Sequence, residues 1–318
     1  MEAVSAFHHL PVLLQECLDG LNLCPDGVYL DCTLGGAGHS SEIYRRLNGG
    51  MLIGIDRDSE AIAAATARLN EIDAPARFVA LRGNFHDAPE LLNRAGIASG
   101  LDGILIDLGV SSHQLDVRER GFSYHDDAPL DMRMDQSQAL TAREIVNTWS
   151  EDDLNRIFRD YGEEKWARQI ARVICDRRKT TPIERTSQLV DIIDAAIPKK
   201  LRQGDGSHPA RRTFQALRIA VNDELEPLEP SLRALVGLLN AGGRLCVITF
   251  HSLEDRIVKN TFRSLADPCT CPKSFPVCVC GKKPVVRLVT RKPITATDAE
   301  LAQNPRARSA SLRIVEKL

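Results

Sequence analysis

The sequence predicts an α/β fold: a parallel sheet with helices on both faces, into which a helical domain is inserted. Three observations predict this fold. Strand patterns alternate with helical patterns over the first third of the chain, no convincing buried strand follows over 112–222, and a strand pattern returns at Gly243–Phe250. We therefore expect a discontinuous sheet domain, residues 1–112 with 223–318, and an inserted all-helical substrate-recognition domain, residues 113–222.

Four apolar runs predict the first strands of the sheet. They are Val28–Cys32, Met51–Asp56, Arg77–Leu81 and Gly103–Asp107. Helical patterns at Ser40–Leu47 and Ser59–Leu69 separate the first three runs, and Asp58 or Ser59 is expected to cap the second helix. In the later segment, apolar residues recur at helical spacing most clearly over Glu163–Lys179.

Composition and charge limit the class of protein. The chain has 318 residues, of which 43% are hydrophobic and 26% charged, as in ordinary soluble globular proteins. Because the formal net charge is −2, any surface that binds nucleic acid has to be a local basic cluster. Glu16 and Asp19 interrupt the first apolar run, and no stretch resembles a membrane span. We therefore expect a cytoplasmic protein whose nine cysteines are reduced.

A glycine-rich turn, Gly35–Gly38, follows the first strand and predicts a site for a nucleotide-like ligand, since glycine lets a ligand approach the backbone. Asp56 ends the next strand twenty residues after Gly36, where a carboxylate can accept both ribose hydroxyls. The third glycine of a dinucleotide fingerprint is replaced by Ser41, and Asp31 would repel a pyrophosphate but attract an amino group. These points favour S-adenosylmethionine over NAD. A tight structural turn and an Asx turn at Asp31 are the alternatives.

Two further features follow strands of the predicted sheet, at the edge where open α/β sheets bind ligands. Phe85 comes directly after the third strand, where it could pack on an adenine or belong to the core. Asp107 ends the apolar fourth strand. A carboxylate there is costly without a partner, which favours a role in the site.

Taken together, these blocks resemble the bacterial 16S rRNA (cytosine-N4)-methyltransferases of the RsmH/MraW family. The resemblance runs almost end to end, and the pair DLGVSS-x-QLD and PLDMRMD is highly specific. The matching blocks are His9–Glu16, Asp31–Ser40, Gly54–Asp58, Asp102–Asp116, Arg120–Tyr124, Pro129–Asp135, Tyr161–Glu164, Arg212–Gln215, Phe250–Lys259 and Asn304–Ser309.

The resemblance implies a class I Rossmann-like methyltransferase sheet with an inserted all-helical domain. It also implies methyl transfer from S-adenosyl-L-methionine to the N4 amino group of a cytidine in the decoding region of 16S rRNA, within a small ribosomal subunit. It places the cofactor contacts of the family at Ala37, Gly38, His39, Asp56, Phe85, Asp107 and Gln114. Of these, His39 and Gln114 have no support from the residue pattern alone.

Methylation of a cytosine amine calls for a hydrogen-bond acceptor on its N–H, because the nitrogen lone pair is delocalised into the ring. Many amino methyltransferases place a D/N-P-P-aromatic tetrad after the fourth strand. Here that position reads Asp107-Leu-Gly-Val, so the usual geometry does not carry over. Asp107 is the first candidate to polarise the amine, followed by Asp131 and Asp135. A structural ion pair between Asp131 and Arg133 is the alternative.

Other side chains are candidates for the site itself or for contacts with RNA. His251 and Glu254 follow the late strand and either face the site or begin a helix. An unstacked cytosine could stack on Phe122, Tyr124 or Trp166, although aromatic residues more commonly pack in cores. Three basic clusters could bind phosphates or simply face solvent. They are Arg168, Arg172, Arg177, Arg178 and Lys179; Lys199, Lys200, Arg202, Arg211 and Arg212; and Lys282, Lys283, Arg287, Arg291 and Lys292.

Two CxC pairs, Cys269 with Cys271 and Cys278 with Cys280, lie near the carboxyl end. Four thiols this close in sequence could bind zinc as a tetrahedral site. The spacing differs from the usual CxxC, so the sequence favours a reduced, cysteine-rich loop that methyl transfer does not need.

The residue pattern thus predicts a methyltransferase that acts on a nucleic acid, and the resemblance implies 16S rRNA as its substrate. Two alternatives stay open. One is a DNA cytosine-N4 methyltransferase, against which the missing tetrad counts. The other is a non-catalytic ribosome-binding protein on the same fold, against which the cofactor motifs count. These motifs are Asp31, Gly36, Gly38, Asp56 and Asp107.

Overall fold

The computed structural model divides the chain into two compact units. The described residues are 10–97, 100–198, 208–272, 274–275 and 277–318. The two units are Met1–Gly109 with Leu225–Leu318, and Val110–Glu224. Among the described residues, no helix combines the length and the apolar character that crossing a membrane requires.

The first unit is built on one seven-stranded sheet. Its strands are β1 Val28–Asp31, β2 Met51–Asp56, β3 Arg77–Arg82, β4 Leu101–Asp107, β5 Leu239–Thr249, β6 Val286–Leu288 and β7 Ser311–Lys317. Their order across the sheet is β3-β2-β1-β4-β5-β7-β6. Strands β1 to β5 are parallel, whereas β7 runs antiparallel to both β5 and β6. The predicted class I Rossmann-like methyltransferase sheet is confirmed.

Helices occur in both units. In chain order they are α1 Leu14–Leu21, α2 Gly38–Tyr44, α3 Ser59–Asn70, α4 Ala88–Arg94, α5 Ser112–Asp116, α6 Ala142–Thr148, α7 Glu151–Asp160, α8 Ala167–Arg177, α9 Thr186–Ala196, α10 Arg211–Asn222, α11 Leu228–Leu238, α12 Ser252–Ala266 and α13 Asp298–Gln303. Helix α3 begins at the predicted residue, because the Asp58 side chain accepts a hydrogen bond from the Glu60 N–H at 3.0 Å.

Apolar layers cover both faces of the sheet, which explains why its central strands read as continuous apolar runs. Alternate residues of a strand face opposite layers. In β5, Val247 packs with α4, α11 and α12, whereas Cys246 and Ile248 pack with α1, α2 and α3. Burial on both faces leaves the polar strand ends as the places where the sheet can meet a ligand.

The second unit has its own apolar core, which is formed by α6 to α10 and the segment before α6. Over 110–198 and 208–224 it contains no strand, only an isolated bridge between Pro129 and Arg185. The inserted all-helical domain is therefore confirmed as part of the fold class. Helix α8 begins later than predicted, since Glu163 has a φ of 48° and the Glu164 carboxylate accepts the Trp166 N–H at 2.9 Å.

Candidate functional site

Three aspartates end neighbouring strands of the sheet in the first unit. Asp31 ends β1, Asp56 ends β2 and Asp107 ends β4. The register aligns Asp31 with Gly54 of β2 and with Leu105 of β4. The three carboxylates therefore lie at the same edge of the sheet, the edge at which open α/β sheets bind ligands.

Asp31 holds the turn that follows β1. It is 2% exposed. One carboxylate oxygen accepts hydrogen bonds from the Thr33 N–H at 3.0 Å, and the other accepts the Ser40 hydroxyl at 2.7 Å. The first of these bonds is an Asx turn, the alternative that the sequence left open. Burial raises the pKa of Asp31, whereas both partners lower it.

The glycine-rich turn has backbone geometry that restricts its residues. Gly35 and Ala37 have φ values of 49° and 58°. A left-handed alanine costs about 1–3 kcal/mol, and such strain concentrates at ligand-binding and catalytic sites. A Cβ added at Gly38 would lie 2.8 Å from Pro11 Cγ. The turn therefore needs glycine at position 38 for space, and it places strained backbone beside the three aspartates.

Asp56 connects the same turn to β2. Its two carboxylate oxygens accept the N–H groups of Gly35 at 2.8 Å and Asp58 at 2.9 Å. Burial raises its pKa to about 6. Each carboxylate oxygen has two lone pairs, so both can accept further hydrogen bonds. Asp56 is thus positioned to accept hydroxyl groups of a ligand that binds along the turn.

Asp107 has the strongest electrostatic perturbation of the three. Burial, and then the charges of Asp31 and Glu254, raise its pKa to about 8. Its Oδ1 atom is buried and has no hydrogen-bond partner among the described residues. An unsatisfied buried acceptor costs about 1–3 kcal/mol, so this oxygen is suited to a donor that a ligand supplies.

His39 lies beside Asp107 and is neutral. Its Nε2 atom is 2.9 Å from the Val12 carbonyl oxygen. Since a carbonyl only accepts, Nε2 carries the ring proton and Nδ1 is an acceptor. Burial lowers the pKa of His39 to about 4, and Nδ1 is 3.9 Å from Asp107 Oδ2. His39 therefore adds an acceptor to the site without adding charge.

Phe85 also follows a strand that ends at this edge, but the residue is only 6% exposed. It packs in the same apolar layer as Ile106 and Leu108, and its ring centroid is 4.1 Å from that of His86. This environment matches the core alternative. An adenine could meet only the small exposed part of the ring.

His251 and Glu254 form the amino-terminal cap of α12. The Glu254 N–H donates to His251 Nδ1 at 3.5 Å, and the Glu254 carboxylate accepts the Phe250 N–H at 2.8 Å. Glu254 is 1% exposed. Their contacts therefore match the alternative that these residues begin a helix. Glu254 influences the site through its charge, which raises the pKa of Asp107.

Asp131, in the second unit, forms a two-point ion pair with Arg133. Its two oxygens accept from Arg133 Nε at 2.8 Å and from a terminal guanidinium nitrogen at 2.7 Å. Arg133 also donates to the carbonyl groups of Gln136 and Gln138. These contacts match the structural alternative for Asp131. Asp135 accepts the Ser137 N–H in an Asx turn.

Gln114 is 5% exposed and belongs to the capping box of α5. Among the aromatic candidates of the second unit, Phe122 is a core residue, 7% exposed. Tyr124 is half-buried and stacks on His208, with ring centroids 4.7 Å apart. Trp166 is partly buried against the core. Of the three rings on which a cytosine could stack, Tyr124 is therefore the one that already stacks on another ring, that of His208.

Some side chains of the three basic clusters form hydrogen bonds or ion pairs within the protein. Arg178 donates to two backbone carbonyls at 2.7 Å each. Lys179 pairs with Asp176, and Arg287 shares Glu316 with Arg244. Lys199, Lys200 and Arg202 lie outside the described residues. Arg172 also pairs with Asp176. The other exposed members are Arg168, Arg177, Arg211, Lys282, Lys283, Arg291 and Lys292.

Two residues that contact the site aspartates were not predicted from the sequence. Thr33 accepts the Asp107 N–H through its hydroxyl at 2.7 Å, and Ser40 donates to Asp31. The position of Thr33, two residues after an aspartate in a turn, carried a usable signal. No comparable signal marked Ser40, since a hydroxyl inside a helix normally has a local partner.

Comparison with known proteins identifies the family of the chain. A sequence model of the MraW methylase family matches residues 6–318. Three curated relatives each carry the name ribosomal RNA small subunit methyltransferase H. That of Symbiobacterium thermophilum is 56% identical over 98% of both chains. That of Clostridioides difficile is 52% identical over 98% of this chain and 99% of its own.

The relative from Lachnospira eligens is 53% identical over the full length of both chains. The matched ranges therefore span both units of the fold. On this evidence, the chain is a methyltransferase and belongs to the MraW methylase family.

Proposed function

We propose that this chain transfers a methyl group from S-adenosyl-L-methionine to the N4 amino group of one cytidine in the decoding region of 16S rRNA. The family and the names of the relatives support a methyltransferase that acts on small-subunit rRNA. One structural observation supports the assignment of the site: the buried Oδ1 of Asp107, at the end of β4, has no hydrogen-bond partner among the residues that the structure describes. The proposed setting is a small ribosomal subunit in the cytoplasm.

The cofactor would be held at the edge of the sheet in the first unit. Asp56 would accept the ribose hydroxyls, Ala37 and Gly38 would let the ligand approach the backbone, and Asp31 would favour a positively charged amino group nearby. His39 and Phe85 would border it. Bound S-adenosylmethionine supplies a methyl group activated by a positively charged sulfur. Gln114, which belongs to the other unit, is a proposed contact on resemblance alone.

Asp107 is the proposed catalytic residue. A positive charge near this carboxyl group favours its ionised form, because opposite charge counteracts the effect of burial on the pKa. Ionised Asp107 would accept the amine N–H, localise the lone pair on nitrogen and take up the proton that the methylated nitrogen loses. Asp131 is the second candidate, although Arg133 occupies both of its oxygens.

The second unit is proposed to recognise the substrate. A cytosine has to leave its stack before an enzyme can act on its amine. The half-buried ring of Tyr124, already stacked on His208, offers a platform on which an unstacked base could continue the stack. Arg168, Arg177 and Arg211 are exposed and could bind phosphates.

A methyl-transfer assay tests the proposal. Tritiated S-adenosylmethionine would be incubated with small subunits from cells that lack the enzyme, with free 16S rRNA and with cytosine-containing DNA, followed by nucleoside analysis. We expect label in N4-methylcytidine from RNA and none in DNA. Label in DNA would favour a DNA methyltransferase. Cofactor binding without label on any RNA would overturn the rRNA assignment, and failure to bind the cofactor would favour a non-catalytic binding protein.

A further inference from the structure

The segment between α12 and β6 brings four cysteines into one cluster. Cys269 and Cys271 lie at its start, Cys278 and Cys280 nine residues further on, and the four sulfur atoms all lie within 4.8 Å of one another. The methyltransferase site uses none of them. From this convergence we propose that the cluster binds one zinc ion as a structural site.

The separations of the sulfur atoms fit a single tetrahedral ion. Cys278 Sγ lies 3.5 Å from Cys269 Sγ, 3.9 Å from Cys271 Sγ and 3.4 Å from Cys280 Sγ. The distance from Cys280 Sγ to Cys269 Sγ is 4.0 Å. Four sulfurs placed about 2.3 Å from a zinc ion stand about 3.8 Å apart along the edges of the tetrahedron. The unusual CxC spacing has therefore not prevented the required geometry.

Other arrangements of four thiols fit less well. A disulfide needs its sulfurs at about 2.05 Å, and every separation given above is far longer. An iron–sulfur cluster places inorganic sulfide and several iron atoms between its cysteines. That arrangement requires more room than sulfurs 3.4–4.0 Å apart leave. A mononuclear site is the arrangement that the distances support, and four thiolates favour zinc among abundant divalent ions.

In the described part of the segment, the large apolar side chains do not form a core that would order the chain. Its large apolar side chains face solvent instead of a core: Phe275 is 50% exposed, Val277 70% and Val279 73%. The Val279 N–H donates to Cys271 Sγ at 3.3 Å, a contact that stabilises a thiolate ligand. Zinc bound by four thiolates has a net charge of −2, and the exposed Lys282 and Lys283 follow the last ligand after one glycine. A metal ion would thus replace the missing core of this segment.

Metal analysis of the full chain tests the site. The protein would be purified under reducing conditions without chelator, as wild type, as Cys278→Ser and as the matched control Cys24→Ser, which removes an exposed thiol outside the cluster. We expect one zinc per chain in the wild type and the control, and loss of zinc from Cys278→Ser. Cobalt added to the metal-free wild type should give the absorption of tetrahedral thiolate coordination.

Proteolysis provides an independent readout. Removal of zinc should speed up tryptic cleavage after Lys282, and zinc sulfate should restore protection in the wild type but not in Cys278→Ser. A reduced wild type that binds neither zinc nor cobalt would overturn the proposal, as would unchanged zinc content in Cys278→Ser. Iron as the bound metal would overturn the assignment of zinc.

Discussion

Three aspartates at one edge of the sheet have different partners. The carboxylates of Asp31 and Asp56 accept hydrogen bonds from N–H and hydroxyl groups of the segment that follows β1, so they order this segment before any ligand binds. Asp107 keeps one buried oxygen without a partner in the described part of the chain. The difference identifies Asp107 as the residue of the three whose substitution should affect chemistry more than folding.

Asp107→Asn should lower the rate of methyl transfer by about 10²–10³-fold, because it removes a charged acceptor from the reacting amine. Steady-state kinetics with small subunits would measure the loss. The matched control is Asp102→Asn at the opposite end of β4, where the carboxylate accepts the Val28 N–H at 2.8 Å. Activity of Asp107→Asn near that of the wild type would rule out the proposed role.

The raised pKa of Asp107 also predicts how stability depends on pH. Its pKa is 3.8 in the unfolded chain and about 8 in the folded, unligated protein. Between these values the folded state holds a proton that the unfolded state has lost, so the free energy of unfolding should fall as the pH rises through this window. Between pH 5 and pH 8, the Asp107→Asn variant should therefore lose less stability than the wild type, as measured by thermal unfolding at each pH. Parallel pH profiles would contradict the assignment.

Substitutions of Asp131 and Arg133 can distinguish a structural ion pair from a catalytic role of Asp131. If the pair is structural, Asp131→Asn and Arg133→Gln should each destabilise the protein by about 0.2–1 kcal/mol, and the double variant should cost little more than either. Chemical denaturation would measure all three. A large loss of activity in Asp131→Asn alone, at unchanged stability, would instead support the catalytic candidate.

At the scale of elements, much of the fold could be predicted from sequence. Apolar runs located β2, the start of β1 and the end of β4, because strands buried on both faces leave a continuous signal. Two strands were missed. β6 has three residues, too few for a pattern, and β7 alternates less clearly because four consecutive residues are buried. Strand ends also located Asp56 and Asp107, whereas burial of Phe85 depends on tertiary contacts that a single sequence does not carry.

The cap of α12 gives a prediction at this scale. His251→Ala should lower the free energy of unfolding by about 0.5–2 kcal/mol, since it removes the acceptor at the start of the helix. His251→Asn keeps an acceptor and should retain both stability and methyl transfer. Thermal unfolding and the kinetic assay together check this. Loss of activity in a fully stable His251→Asn would point to a catalytic role instead.

At the scale of the whole molecule, each unit has its own apolar core. A ligand stabilises the state that it binds, by about 2.7 kcal/mol at a hundredfold excess over Kd. With S-adenosylhomocysteine, hydrogen exchange should therefore slow at the turn after β1 and at the ends of β2 and β4. The core helices α8 and α9 should exchange unchanged. Slower exchange at Gln114 would support its proposed contact, whereas protection confined to α8 and α9 would contradict the cofactor site.

Strand β4 pairs in parallel with β5, which is translated much later, so this pairing is delayed during synthesis. The whole second unit, Val110–Glu224, is translated between the two strands. At about 5–20 residues per second, these roughly 115 residues take about 6–23 seconds. During that interval one side of the apolar β4 strand has no partner strand, the condition under which sheet edges associate with other chains. Early folding of the inserted helices would not shorten this interval, so we expect the nascent chain to be most prone to association between the translation of its fourth and fifth strands.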